Sequence, residues 1–282
     1  MPLVNSKPII EKAKRNKYAI GAFNIENLEM AQGVIFAAEE MKSPVICAVS
    51  QNALKYASAE SYYSIVDAIA KQVSIPVALH FDHAENEETV IKALSSGFTS
   101  VMIDGSDLSF SENCVLTKRI VEMCKGFDVP VEGELGAIGG KTDERSYSTD
   151  LFTDPQAAVS FLENTKVDFL AVAIGTVHGI SKSLPELDYV RLAEKNKLTD
   201  VPLVMHVASG LTDDQISKCI SLGVSKVNIA TELRIAYTNA LRCYLKRNIN
   251  EFDPRKYGEE SRRAVMNVVK EKIKILGSAG KC

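Results

Sequence analysis

The sequence predicts a (β/α)8 barrel (TIM barrel) with a C-terminal helical extension, formed by residues 1–282 as one domain. Three observations predict it. Eight short runs rich in Val, Ile and Ala alternate with helical patterns along the whole chain. The runs are apolar on both faces, as strands buried in a parallel sheet must be. Histidines and carboxylates gather at the C-terminal ends of the runs, the rim where barrels do chemistry. An open doubly wound sheet is the competing architecture, but no G-x-G-x-x-G follows the first run.

In order, the predicted strands are 19–24, 44–50, 76–82, 100–104, 130–135, 169–175, 202–206 and 226–231. Four open on a proline (Pro44, Pro76, Pro130, Pro202), a residue tolerated at a strand's first position because no ladder N–H is needed there. After the first run, Leu28, Ala31, Val34, Ile35, Ala38 and Met41 form the apolar stripe of a helix. Ser-Ser-Gly97 and Ser-Leu-Gly223 each lead into a strand, as one helix-to-strand unit used twice. Thr212-Asp-Asp-Gln215 is a capping box, and Gly223 ends that helix. The least patterned stretch, 139–153, is polar, opens with Gly-Gly and is long for a βα loop, as functional lids are. Residues 242–281 read as the helical extension.

Composition excludes several classes. With 33 basic and 36 acidic residues the net charge is −3, so nothing draws the chain to nucleic acid or an anionic membrane. The longest apolar run, 169–177, is about half the roughly 20 residues that a spanning helix needs. The opening Met-Pro-Leu-Val-Asn-Ser-Lys has no apolar signal core. Six cysteines, none in a C-x-x-C pair, read as reduced and structural, so a cytoplasmic location is expected and a cysteine zinc site is not.

All four histidines, His80, His83, His178 and His206, fall in or just beyond a predicted strand's C-terminal end. Asp82, Asp104 and Glu134 share those ends. Carboxylates at an apolar mouth are costly unless paired, protonated or bound to a cation. Three imidazoles from three strands suit Zn²⁺ with an open coordination position, which makes His83, His178 and His206 the candidate ligands. His80 is read as an interior or supporting residue. Val207-Ala-Ser-Gly210 follows strand seven and Asn228-Ile-Ala-Thr231 closes strand eight. Loops at those places commonly hold phosphate through backbone N–H groups, so a phosphorylated substrate is expected.

These motifs resemble the class II, metal-dependent ketose-bisphosphate aldolases, the fructose- and tagatose-1,6-bisphosphate aldolase family. Gly21-Ala-Phe-Asn24, Leu79-His-Phe-Asp-His83, Val131-Glu-Gly-Glu-Leu-Gly136 with Gly139-Gly140, Gly175-Thr-Val-His-Gly179 and Asn228-Ile-Ala-Thr231 match in order, from about residue 3 to residue 255. The resemblance implies that His83, His178 and His206 hold a catalytic zinc and that Asp82 is the general acid/base. It makes Asp104 and Glu134 metal-site carboxylates able to hold a second or displaced divalent ion. It implies phosphate contacts from Gly179, Val207, Ala208, Ser209, Asn228, Ile229, Ala230 and Thr231, with Na⁺ or K⁺ beside them and Lys182 as a further contact. Asn24 and Ser50 then lie near the bound triose. Arg255 resembles an arginine that reaches the distal phosphate from a neighbouring subunit, which implies a homodimer.

The departures are specific. Val207-Ala stands where the family usually has Gly-Gly, and a branched residue tolerates positive φ poorly. Ala84 replaces the usual glycine after His83. In the lid, Thr142 stands where a glutamate is common, leaving Asp143 or Glu144 as the proton donor. The implied reaction is reversible C3–C4 cleavage of a ketose 1,6-bisphosphate, fructose 1,6-bisphosphate first, to glycerone phosphate and glyceraldehyde 3-phosphate; tagatose 1,6-bisphosphate or another phosphorylated ketose is the alternative. Against a Schiff-base aldolase, strand six carries no lysine; against a metallohydrolase, strand one carries no His-x-His pair. A non-catalytic accessory subunit of the same fold is the alternative of another class.

Overall fold

A computed structural model describes residues 2–136, 152–175, 187–206, 208 and 210–282. Eight strands close into a parallel barrel in chain order: β1 (Ile20–Asn24), β2 (Val45–Ser50), β3 (Val77–Ala84), β4 (Ser100–Ile103), β5 (Val131–Leu135), β6 (Phe169–Val172), β7 (Leu203–Met205) and β8 (Val224–Ile229). The seam is the β1–β8 ladder, with Ile20 opposite Lys226 and Ala22 opposite Asn228. Every predicted strand is present. The prolines lie just ahead of their strands and act as acceptors: Val45, Val101 and Leu170 donate their N–H to the carbonyls of Pro76, Pro130 and Pro202.

The outer layer begins with α1 (Ser6–Arg15), then α2 (Leu28–Glu40) after β1. Next come α3 (Gln51–Tyr56) and α4 (Ala59–Ala70) after β2, α5 (Glu87–Ser96) after β3 and α6 (Phe110–Lys125) after β4. α7 (Pro155–Thr165) precedes β6, α8 (Tyr189–Leu198) precedes β7 and α9 (Asp213–Ser221) precedes β8. α10 (Thr231–Arg247) and α11 (Pro254–Leu276) complete it. The predicted apolar stripe is α2, with Met41 as its C-cap. The capping box forms: Thr212 Oγ1 accepts from the Gln215 N–H and the Gln215 side chain accepts from the Thr212 N–H. Gly97 and Gly223 both take left-handed backbone, at φ +99 and +111. At Gly223 a Cβ would meet Asn196 at 2.2 Å, so only glycine fits that turn.

Several boundaries differ from expectation. β3 runs on to Ala84, two residues past its expected end, and β6 stops at Val172, three residues short. Thr231 begins α10 rather than ending β8, because the strand starts two residues earlier, at Val224. The C-terminal extension begins at α11, since residue 242 lies in the middle of α10. A helical period alone could not separate α10 from the next helix.

Strand periodicity divides the buried side chains into two sets. One packs between barrel and helices and includes Phe23, Val49, Phe81, Val101, Leu170 and Ile229. The other lines the barrel near its N-terminal end: Ile20, Ala22, Ile46, Ala78, Met102, Phe169, Ala171 and Val204, with Ile9, Ile10 and Ala13 of α1 packed against them. Burying a side chain the size of Phe169 contributes roughly 1.5–3 kcal/mol. Toward the C-terminal end the interior becomes polar, with His80, Asp82, Glu132, Glu134, Lys226, Asn228 and His206 all buried. An apolar base thus supports a charged mouth.

Candidate active site

β3 supplies the first elements. His80 and Asp82 are two residues apart and point into the barrel, as period two requires. The same rule would send His83 outward. Instead His83 takes φ +54, and the β3–β4 register slips between Phe81 and Ala84. Histidine is among the side chains that tolerate this region. The bulge turns the His83 ring to the mouth beside Asp82.

Two imidazoles then converge. His83 Nε2 and His206 Nδ1 lie 3.1 Å apart, and their rings meet edge to face. Each ring's other nitrogen faces a carboxylate. His83 Nδ1 is 2.8 Å from Asp104 Oδ2 and 3.6 Å from Glu134 Oε2. His206 Nε2 is 2.6 Å from Glu132 Oε1. An ionised carboxylate only accepts, so the protons sit on His83 Nδ1 and His206 Nε2. The two facing nitrogens are left to share a metal or, without one, the extra proton that His83 takes up. Two nitrogens on a tetrahedral zinc, each about 2.0–2.1 Å from it, sit ~3.3 Å apart. The donor set fits a metal, with Asp82, His83 and His206 forming one compact group and His83, Asp104 and Glu134 an adjoining one.

The field agrees. Burial works against charge on His83, yet the Asp82 charge, the hydrogen bond to Asp104 and the Glu134 charge outweigh it and push the imidazole up to about 9. Surroundings that stabilise a proton so strongly also suit a cation. Burial would raise the Asp82 pKa, but the neighbouring imidazoles and Lys226 hold it below the usual carboxylate range. Asp82 is fixed by two amides: Asn24 Nδ2 donates to Oδ2 at 3.0 Å and Asn228 Nδ2 to Oδ1 at 3.0 Å. His80 is neutral, because burial and Lys226 lower it to about 3. Ser6 Oγ donates to Ser100 Oγ, whose own proton goes to His80 Nδ1 at 2.8 Å. His80 Nε2 therefore carries hydrogen, and it points between Asp82 Oδ1 and Glu132 Oε2, 3.9 Å from each.

The remaining candidates divide. Ser50 stands opposite Asp82 in the β2–β3 register and caps α3 through its hydroxyl. It also lines a pocket of about 350 Å³ with Glu26, Asn27, Asn52, Tyr56 and Arg234. A larger pocket, about 510 Å³, sits around Pro202 and Asp168 at the opposite rim, away from the histidines. Ile229 and Ala208 pack into the outer core, so only their backbone can serve the mouth. Ala230 is the N-cap of α10 and Thr231 its first residue; among the described residues no side chain caps that terminus. Arg255 lies in the first turn of α11, 89% exposed at its side chain, and its guanidinium pairs with Asp253 of its own chain. It does not join the cluster. His178, Gly179, Lys182, Val207, Ser209, Asp143 and Glu144 lie outside the described residues.

Sequence reasoning missed Glu132 and Lys226. Lys226 Nζ donates to Glu132 Oε2 and to Asn228 Oδ1, both at 2.8 Å. The signal was available. Each stands two residues before a candidate, Glu134 or Asn228, and a lysine and a glutamate on buried strands have to find each other.

A closed parallel barrel with imidazoles, carboxylates and amides crowded at its C-terminal mouth is built as an enzyme of the metal-assisted kind. The chain belongs to the class II fructose-bisphosphate aldolase family, whose model matches residues 4–281. It is therefore a metal-dependent aldolase, a carbon–carbon lyase. Among solved structures, the YdjI aldolase of Escherichia coli K12 is 38% identical, with 99% of each chain covered and a TM-score of 0.89. A candidate fructose-1,6-bisphosphate aldolase of Coccidioides immitis is 30% identical, covering 97% of this chain and 96% of that one at a TM-score of 0.88. The fructose-bisphosphate aldolase of Campylobacter jejuni shares the fold, at 23% identity and a TM-score of 0.85 over 100% of this chain and 97% of that one. Among the described residues, no helix is long and apolar enough to cross a membrane.

Proposed function

We propose that this aldolase reversibly cleaves the C3–C4 bond of a ketose 1,6-bisphosphate, fructose 1,6-bisphosphate first among them, giving glycerone phosphate and glyceraldehyde 3-phosphate. The observation that carries the reading is Asp82, an ionised carboxylate held by Asn24 and Asn228 beside two imidazoles whose facing nitrogens lie 3.1 Å apart. His83 and His206, with His178, would hold zinc; Asp104 and Glu134 would serve a second or displaced ion. Bound there, zinc supplies Lewis-acid stabilisation of the negative charge that develops on the substrate during cleavage.

Asp82 accepts the C4 hydroxyl proton in cleavage and returns it in condensation. The neighbouring imidazoles and Lys226 keep it ionised, and its two amide donors keep it aimed. Asn24 and Ser50 flank the triose. The N-terminus of α10, which no described side chain caps, lies behind Asn228, Ile229, Ala230 and Thr231 and offers its first N–H groups to the first phosphate. Gly179, Lys182, Val207, Ala208 and Ser209 complete that subsite, with Na⁺ or K⁺ beside it. Either Asp143 or Glu144 protonates the triose carbanion.

The same reading includes a homodimer, and two exposed apolar side chains support it. Ile249 and Phe252, each 88% exposed, stand between α10 and α11 close to Arg255 in sequence. A second copy seated there would cover them and carry Arg255 toward its partner's distal phosphate. All six cysteines are unpaired, which fits a reducing cytoplasm. The test is direct: purified protein, with and without chelator, is offered fructose and tagatose bisphosphates while triose phosphate is measured. Turnover of fructose bisphosphate that chelator abolishes and zinc restores is expected. Turnover of tagatose bisphosphate alone would move the assignment to the C4 epimer, and chelator-resistant turnover would end it.

A further inference from the structure

Lys226 and Glu132 lie inside the barrel, beneath the mouth, and both are fully buried. Neither faces a substrate directly. Their hydrogen bonds link two groups that must each be held one way round. Glu132 spends Oε2 on Lys226 Nζ at 2.8 Å and Oε1 on His206 Nε2 at 2.6 Å. Lys226 spends a second proton on Asn228 Oδ1 at 2.8 Å, while Asn228 Nδ2 reaches Asp82 Oδ1 at 3.0 Å. The chain from His206 to Asp82 is continuous and every atom in it has one permitted role.

An imidazole has two nitrogens of similar basicity, and an amide has two ends of nearly the same shape. Free in solution, neither His206 nor Asn228 would be confined to the arrangement seen. Glu132 only accepts, so His206 Nε2 must carry the proton and Nδ1 must face His83. An ammonium only donates, so Asn228 must turn its oxygen to Lys226 and its NH₂ to Asp82. We infer that Glu132 and Lys226 are positioning residues: Glu132 selects the metal-binding nitrogen of His206, and Lys226 both anchors Glu132 and selects the face that Asn228 shows to Asp82. This inference rests on the reading of His206 as a metal ligand.

The experiment uses the full-length protein stripped of metal. Zn²⁺ affinity is measured by competition with a chromophoric chelator, and kcat and KM are measured after zinc is restored. In Glu132→Gln, Lys226 still holds the side-chain oxygen, so the new NH₂ faces His206 Nε2 and drives the proton to Nδ1. Zinc affinity is expected to fall by about 10- to 100-fold, the range for losing a ligand's orienting carboxylate. Adding Lys226→Met frees the substituted amide at position 132 to turn its oxygen to His206, so the double variant should recover affinity to within a few-fold of wild type. Its kcat should stay low, as in Lys226→Met alone, because the Asn228 amide is no longer held. Rescue of affinity by a second substitution, without rescue of kcat, is not what a merely structural pair produces.

Wild-type affinity in Glu132→Gln, or a double variant binding no better than that single one, would overturn the inference. If Glu132→Gln fails to fold, the double variant and Lys226→Met carry the test: both must bind zinc within a few-fold of wild type, and loss of affinity in either refutes it. His206→Ala separates the two readings. Unchanged affinity there would remove His206 from the metal site and refute the proposed function rather than this pairing.

Discussion

His83 Nε2 and His206 Nδ1 meet at 3.1 Å across the barrel mouth, although 123 residues separate them in the chain. The contact exists because β3 ends in a bulge at His83 and β7 ends at Met205, one residue short of His206. Each ring is backed by a carboxylate from another strand, Asp104 just beyond β4 and Glu132 near the start of β5. Four strands thus define one point in space.

Asp82 is the residue whose loss should leave the site built but idle. Asp82→Asn keeps the size and can still bond one of its two amide partners. Turnover should drop by about 10²- to 10⁴-fold, the usual worth of a positioned acid/base. Zinc affinity should change far less. Steady-state kinetics beside chelator competition checks both, and near-full turnover would remove Asp82 from the role.

Asp104 should matter to metal before chemistry. It accepts from His83 on Oδ2, while Oδ1 takes the Ser106 N–H and hydroxyl. Asp104→Ala releases the His83 ring, and zinc affinity is expected to fall by about 10- to 100-fold. Excess zinc should restore part of the activity.

Ser100 stands between Ser6 and His80, and all three are buried. Ser100→Ala leaves His80 Nδ1 without its donor in a dry interior. A loss of about 1–3 kcal/mol in urea unfolding is expected. Since α1 supplies Ser6, the same variant should loosen the barrel's base, read as faster hydrogen exchange in residues 6–15.

Lys195 of α8 gives a pH dependence with a definite sign. It is buried and donates to the Thr153 carbonyl at 2.8 Å, and burial lowers it to about 8 from the ordinary 10.5. Between those values the unfolded chain binds the proton more tightly than the folded one. Stability from this group therefore rises as pH rises from about 8 to about 10.5. The melting temperature of wild type minus that of Lys195→Met should increase over that window; a flat or falling difference would contradict the burial effect.

Arg255 makes the shared-site dimer testable. Arg255→Ala and Asp82→Asn should each be poorly active alone. If subunits exchange after mixing, the mixed dimer regains one intact site, and activity should rise toward a quarter of wild type (a statistical expectation of about one site in four). No recovery in verified mixed dimers would confine Arg255 to its own chain, where it meets Asp253.

The barrel was legible because strand identity is a local property. Eight apolar runs, a capping box and two glycines that end helices each depend on a few neighbouring residues, and the structure reproduces all of them. The placement of His83, Asp82 and His206 at strand ends was legible for the same reason. Their convergence was not. It depends on a left-handed residue at His83 and a register slip, and period two alone would have turned that ring outward. Glu132 and Lys226 were readable as unusual residues in buried strands, but their partners come from across the barrel, 94 residues apart. Local sequence thus determined which elements form and where polar groups end, through period and capping. Tertiary structure alone decided which polar groups meet, because hydrogen-bond partners inside a barrel are set by its closure.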